Sequence, residues 1–100
     1  MITISKTVNG DVIEVKLVGR LDVKAIKEAE AAFAEAAAAA PNVALDMSEL
    51  DYIASAGLRA LKRLRTDVRG NGGSLTLRDV QEDVMEIFEM TGFAAMLTFE

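Results

Sequence analysis

Leu45-Asp46-Met47-Ser48-Glu49-Leu50-Asp51-Tyr52-Ile53-Ala54-Ser55-Ala56-Gly57-Leu58 joins two kinds of pattern. Ahead of it, Val43-Ala44-Leu45 is a short apolar run between turn signals, the mark of a buried central strand that ends in Asp46-Met47-Ser48. Tyr52-Ile53 is a second apolar step and leads into Ala54-Ser55-Ala56-Gly57. From there Leu58, Leu61, Leu64 and Val68 recur at helical spacing until Gly70-Asn71-Gly72-Gly73 stops the helix. A central strand thus runs through a loop into a helix, and Ser55 stands where that helix begins.

Working towards the N-terminus, Ile13, Val15 and Leu17 alternate with Glu14 and Lys16, a half-buried strand. Asn9-Gly10-Asp11 turns the chain back onto an earlier strand holding Ile2, Ile4 and Val8. Gly19 breaks the alternation, and Asp22 is placed to cap a helix over about 23–39 that Pro41 ends. Ile26, Ala29, Phe33, Ala36, Ala37 and Ala40 share one face of it, small enough to lie close to a sheet.

Towards the C-terminus, Ser74-Leu75-Thr76-Leu77 alternates as a strand. Asp79 with Glu82 makes a capping-box-like start to a last helix carrying Val80, Val84, Ile87, Phe88 and Thr91 on one face. Gly92 ends that helix, and Met96-Leu97-Thr98-Phe99 is a candidate closing strand. The predicted order is β-β-α-β-α-β-α-β, one α/β domain over residues 1–100. Strands alternating with helices imply a mixed sheet with right-handed parallel crossovers. Its expected core is Val15, Leu17, Val43, Leu45, Leu75 and Leu77 from strands. Ile26, Phe33, Leu58, Leu61, Leu64, Val84, Ile87 and Phe88 should join from helices.

Composition narrows the chemistry. The 100 residues hold no Cys and no His, which removes disulfides, thiolate nucleophiles, the usual general base and the commonest metal ligands. No cofactor or metal site is expected, and the chain reads as a binding protein rather than an enzyme. A net charge of −5 argues against a phosphate-tracking nucleic-acid surface. Gly70-Asn71-Gly72-Gly73 matches neither common nucleotide fingerprint. The N-terminus lacks the charged-then-apolar order of a signal peptide, and an apolar stretch such as Ala36 to Ala40, which no other run exceeds, is too short to span a bilayer. The expectation is a cytoplasmic protein with no direct membrane insertion.

Two readings fit Ser55. It can cap its helix, or its hydroxyl can accept a phosphate, since free backbone N–H groups and the positive dipole end both favour an anion there. A catalytic nucleophile it is not: no His exists to activate it, and Gly-x-Ser-x-Gly is absent. Small Ala56 and Gly57 leave an approach to the hydroxyl. The second helix carries Arg59, Lys62, Arg63, Arg65 and Arg69, most simply a solvated face. Arg59 and Arg63, one turn apart near Ser55, are the best candidates for docking an acidic partner.

Asp46-Met47-Ser48 followed by Tyr52-Ile53-Ala54-Ser55-Ala56-Gly57-Leu58-Arg59 resembles the signature of STAS domains, the family of bacterial anti-sigma-factor antagonists. Gly19-Arg20-Leu21-Asp22, Gly72-Gly73 and Met90-Thr91-Gly92-Phe93 match in the same order, so the resemblance spans nearly the whole chain. It implies a four- to five-stranded sheet with helices mainly on one face. It also implies that Ser55, two positions before the motif Gly, is phosphorylated by an anti-sigma factor that is also a serine kinase. In the family the unphosphorylated form binds that kinase, and a PP2C-type phosphatase resets the switch. Asp22, Ile53, Ala54, Ala56, Gly57, Leu58, Arg59 and Arg63 then form the expected partner surface. The chain departs from the family at Ala54, where many members carry Asp or Ser, while Ala56 is a common alternative. A second role open to the family is an accessory or scaffold subunit of a lipid-transport, transporter or stressosome-like complex.

Overall fold

In the computed structural model, which describes residues 2–100, a hairpin opens the chain; Met1 lies outside the described residues. Strand β1 (Ile2–Asn9) and strand β2 (Val12–Leu21) pair antiparallel through a Gly10-Asp11 turn, with Asn9 opposite Val12. Helix α1 (Ile26–Ala39), strand β3 (Asn42–Ile53), helix α2 (Ser55–Gly70), strand β4 (Leu75–Arg78) and helix α3 (Glu82–Thr91) follow. A short 3₁₀ turn covers Phe93–Ala95. The sheet runs β1-β2-β3-β4, its last two pairings parallel.

Register explains the alternation in β2. Ile13, Val43 and Leu75 line up across three strands, as do Val15, Leu45 and Leu77, and all six are buried. Residues between them point to the opposite face, where Lys16, Asp46 and Arg78 form a row. That face is held by charge: Lys16 Nζ lies 2.6 Å from Glu49, and Arg78 reaches Glu14 at 2.9 Å and Glu100 at 3.1 Å. Helices α1 and α2 pack on each other and on the strands, so that Ala29, Ala32, Phe33 and Ala36 of α1 are buried. Leu58, Leu61, Leu64 and Val68 of α2, and Val84 and Phe88 of α3, are buried too. The predicted core holds except at Ile26 and Ile87, which are half-buried against it.

Strand β3 is longer than its sequence pattern implies, one strand through Ile53 rather than two apolar steps. Lys16 pairs with Asp46 but Val18 with Glu49, and Gly19 pairs with Leu50 but Arg20 with Tyr52. Twice β3 carries one residue more than β2, the signature of a bulge. Each bulge shifts the face that points inward, so Met47, Leu50 and Ile53 are all buried at a spacing of three. Asp46 stabilises the first bulge: its Oδ1 accepts the Ser48 backbone N–H at 3.0 Å and the Ser48 hydroxyl at 2.7 Å. Gln81, the N-cap residue of α3, donates its side-chain amide to the Ser48 carbonyl at 2.7 Å and ties the next crossover to the bulge.

Both helix starts expected from acidic caps lie further along. Asp22 holds a turn, its Oδ1 accepting Ala25 N–H at 3.1 Å, and α1 begins at Ile26 with Ala25 as N-cap. Asp79 has φ 55, so it belongs to a tight turn, and α3 begins after Gln81. The candidate closing strand is reduced to one bridge, Leu77 with Phe99.

Candidate functional site

β2 and β3 run parallel, so their carboxyl ends deliver two loops side by side. Leu21 pairs with Ile53, and Ala54 N–H donates to the Leu21 carbonyl at 2.9 Å, pinning the Asp22 loop beside the start of α2. Gly57 makes this approach possible. A Cβ there would lie 2.7 Å from Ile53 Cγ1 and 2.9 Å from Leu21 Cγ, closer than real contacts allow. Its role is therefore packing of the first helical turn onto two core side chains, not access to Ser55.

Ser55 is the first residue of α2 and is exposed. It does not cap the helix. The N-cap is Ala54, in extended backbone, and no side-chain hydrogen bond closes the first turn. Leu58 N–H is the first to reach back, donating to the Ala54 carbonyl at 3.0 Å. The N–H groups of Ser55, Ala56 and Gly57 therefore have no helical acceptor. No acidic residue occupies that turn, so nothing on the helix itself answers the positive end of its dipole.

The structure divides the predicted partner residues. Asp22, Ala54, Ala56, Ser55 and Arg59 come together at the surface, three half-buried and the last two exposed. Arg63 is also exposed, with its guanidinium 4.0 Å from Asp67 on the same helix. Ile53, Gly57 and Leu58 are buried and cannot offer side chains to a partner; they position the loop from below. Three residues that sequence reasoning left without a role belong to the rim. Val23 is 71% exposed in the Asp22 turn. Tyr52 is partly exposed at the end of β3, and the Arg20 guanidinium sits 4.4 Å from its ring centroid. The signal for them was present, since an apolar residue in a polar turn and an Arg–aromatic pair at strand ends both mark surfaces.

Two side chains near the bulge have shifted acid–base behaviour. Hydrogen bonds from Ser48, first its hydroxyl and then its N–H, hold the Asp46 carboxyl below the usual carboxylate range. The hydrogen bond and charge of Glu49 raise Lys16. Neither group faces Ser55, so these shifts concern the bulge and not the loop. Among the described residues no group of three or more Asp or Glu is placed to hold a metal ion.

The model of the STAS domain family matches residues 3–100. This chain belongs to the STAS domain family. Among proteins of known sequence, the STAS chain is 41% identical over 54 residues to BtrV of Bordetella bronchiseptica, named as a candidate anti-sigma factor antagonist. That stretch covers 54% of this chain and 47% of BtrV, about half of each. Among solved structures, an anti-sigma factor antagonist from Mycobacterium paratuberculosis superposes with a TM-score of 0.88 at 19% identity, covering 99% of this chain and 85% of that one. SpoIIAA in its unphosphorylated form gives 0.75 at 15% identity over 100% and 87%. The Bacillus cell fate determinant SpoIIAA in its phosphorylated form gives 0.75 at 16% over 100% and 91%. The shared fold is the four-stranded mixed sheet with three helices described above. Among the described residues, no helix is long and apolar enough to cross a membrane.

Proposed function

We propose that this STAS domain is an anti-sigma factor antagonist that works by binding, in the cytoplasm, rather than by catalysis. In its unphosphorylated form it binds an anti-sigma factor with serine kinase activity, and phosphorylation of Ser55 releases it. A PP2C-type phosphatase restores the binding form. The observation that carries this reading is the exposed, uncapped Ser55 at the first turn of α2. The name of the BtrV relative and the existence of SpoIIAA in two phosphorylation forms support it.

The physical logic concerns one charge on one small surface. Before modification, Ser55 is an uncharged side chain between the small Ala54 and Ala56, which a partner can cover closely. A phosphate adds about −1.5 to −2 charges and three acceptor oxygens. The free N–H groups of the first turn favour it in the isolated protein. A partner that covers this surface must strip water from it, which opposes binding.

The test mixes the protein with its candidate kinase and ATP, maps phosphate by mass spectrometry and compares binding of variants. Ser55 should be the modified residue. Ser55→Asp should bind the kinase more weakly than wild type, and Ser55→Ala should bind without being released. No phosphate at Ser55, together with equal binding by wild type and Ser55→Asp, overturns the reading in favour of an accessory or scaffold subunit.

A further inference from the structure

The outer edge of β4 carries a feature that a Ser55 switch does not use. In the parallel ladder, Val43 N–H donates to the Ser74 carbonyl, so alternate backbone groups of β4 face β3. Those of Leu75 and Leu77 face outwards. At Leu77 they are paired: its N–H donates to the Thr98 carbonyl and its carbonyl accepts Glu100 N–H, both at 2.9 Å. The same register would next pair Leu75 with Leu97. That pair does not form: Met96 closes the 3₁₀ turn in helical rather than extended backbone, with its N–H on the Phe93 carbonyl. β4 and the C-terminal segment diverge there, and the wedge between them is a cavity of about 250 Å³.

Arg65 and Arg69 of α2 line this wedge with Leu75, Met96, Leu97 and Thr98, and no carboxylate lines it. Four cations elsewhere in this acidic chain pair with anions: Lys6 with Glu35, Lys16 with Glu49, Arg63 with Asp67, and Arg78 with Glu14 and Glu100. Lys24, Lys27, Arg59 and Lys62 also lack ion pairs, and Arg20 sits over the Tyr52 ring instead; what sets Arg65 and Arg69 apart is the cavity that they line together. Arg65 and Arg69 have no such partner among the described residues, and they share a cavity with an unpaired strand N–H. The negative dipole end of α2 offsets only part of their charge, about half an elementary charge against two guanidiniums. Asn71, Gly72 and Gly73 N–H groups already close on the Asp67, Val68 and Arg69 carbonyls.

We propose that this wedge binds a phosphoryl group, as inorganic phosphate or a small phosphomonoester. Two guanidiniums one helical turn apart present forked donors to its oxygens. Leu75 N–H adds a backbone donor, and the Leu75 carbonyl accepts the hydroxyl of a protonated phosphate or of a short substituent. The volume falls below the 300–1,000 Å³ or so of ordinary ligand pockets, which suits a phosphoryl group with little attached. Residue 65 lies about 15 Å along α2 from Ser55, at the helical rise of about 1.5 Å per residue. The site is therefore independent of any modification there.

The experiment is a ¹H–¹⁵N NMR titration with sodium phosphate and with ethyl phosphate, against sodium chloride at matched ionic strength. Saturable shifts should centre on the Leu75 amide and the Arg65 and Arg69 Nε–H groups, with no such response to chloride. Arg65→Gln/Arg69→Gln should weaken binding roughly tenfold or more, the loss of charge-assisted hydrogen bonds. Arg69→Gln alone, at an exposed position, provides a variant whose folding is not in question and should bind more weakly than wild type. Ethyl phosphate binding at least as tightly as phosphate assigns the site to phosphomonoesters, and phosphate alone assigns it to the free ion. A non-saturating response, the same shifts in chloride, or unchanged affinity in both variants overturns the proposal. So does a Leu75 amide already protected from hydrogen exchange without phosphate, since the wedge would then be closed by the chain itself.

Discussion

Asp46 is where a single side chain decides the path of the central strand. Its carboxylate accepts two hydrogen bonds from Ser48 across the bulge, and those bonds favour the ionised form. A carboxyl depressed in the folded state contributes stability above its unfolded pKa of about 4, and loses it as pH falls through the lower folded value. Ser48→Ala removes the larger cause, so Asp46 should titrate at a higher pH in that variant when followed by carboxyl ¹³C NMR. The stability difference from wild type should be about 1 kcal/mol or less near neutrality, because the pair is exposed, and should shrink below pH about 4. An unchanged Asp46 titration would show that the Ser48 bonds do not govern it. The motif Asp46-Met47-Ser48 was visible in the chain, but its reason was not: the bulge exists only against the register of β2.

At the scale of elements, α2 and the crossovers on either side of it carry most of the organisation. Leu61 lies on the helical stripe with no exposure, so Leu61→Ala should cost roughly 2–5 kcal/mol in urea unfolding. A loss below about 1 kcal/mol would place it outside the core. Gly73, at the entry to β4, is constrained more severely. A Cβ there would fall 1.5 Å from the Pro41 carbonyl oxygen, a backbone atom at the start of β3 that cannot swing aside. Gly73→Ala should therefore cost at least about 2 kcal/mol, beyond ordinary overpacking of flexible side chains. It should also disturb the bonds from Ser74 to Asn42 that align the two strands, visible as amide shifts at Ser74. The helix starts show how elements can mislead when read singly. Asp22 and Asp79 have the right residue type to cap, yet one closes a preceding turn and the other adopts positive φ. A local hydrogen-bonding side chain serves either arrangement equally well.

For the whole molecule, the separation of Ser55 from the core makes a prediction about stability. Ser55 is exposed and bears no packing, whereas Leu21, Ile53, Gly57 and Leu58 beneath it are buried. A negative charge at position 55 faces the unpaired end of α2, so Ser55→Asp should unfold within a few degrees of wild type. Leu61→Ala should lower the midpoint by roughly 10 °C or more, at about 4–8 °C per kcal/mol for a domain of this size. Differential scanning calorimetry of the two variants checks this, and a large loss in Ser55→Asp would make weakened partner binding a folding effect.

Local pattern alone determined the element order through the last helix, the aliphatic core and the position of Ser55 at a helix start, because period and turn chemistry are properties of neighbouring residues. The absence of Cys and His was likewise legible without a structure. Tertiary structure decided what depends on pairing between distant segments. Two bulges shifted the inward face of β3, so Ile53 went to the core while Tyr52 came to the surface beside Arg20. The divergence of Met96–Thr98 from β4 likewise left a wedge where a fifth strand was expected. Register is set by contacts many residues apart, and a shift of one position exchanges the inner and outer faces of a strand. That exchange is why the fold and its serine were readable from the chain, while the surface around the serine was not.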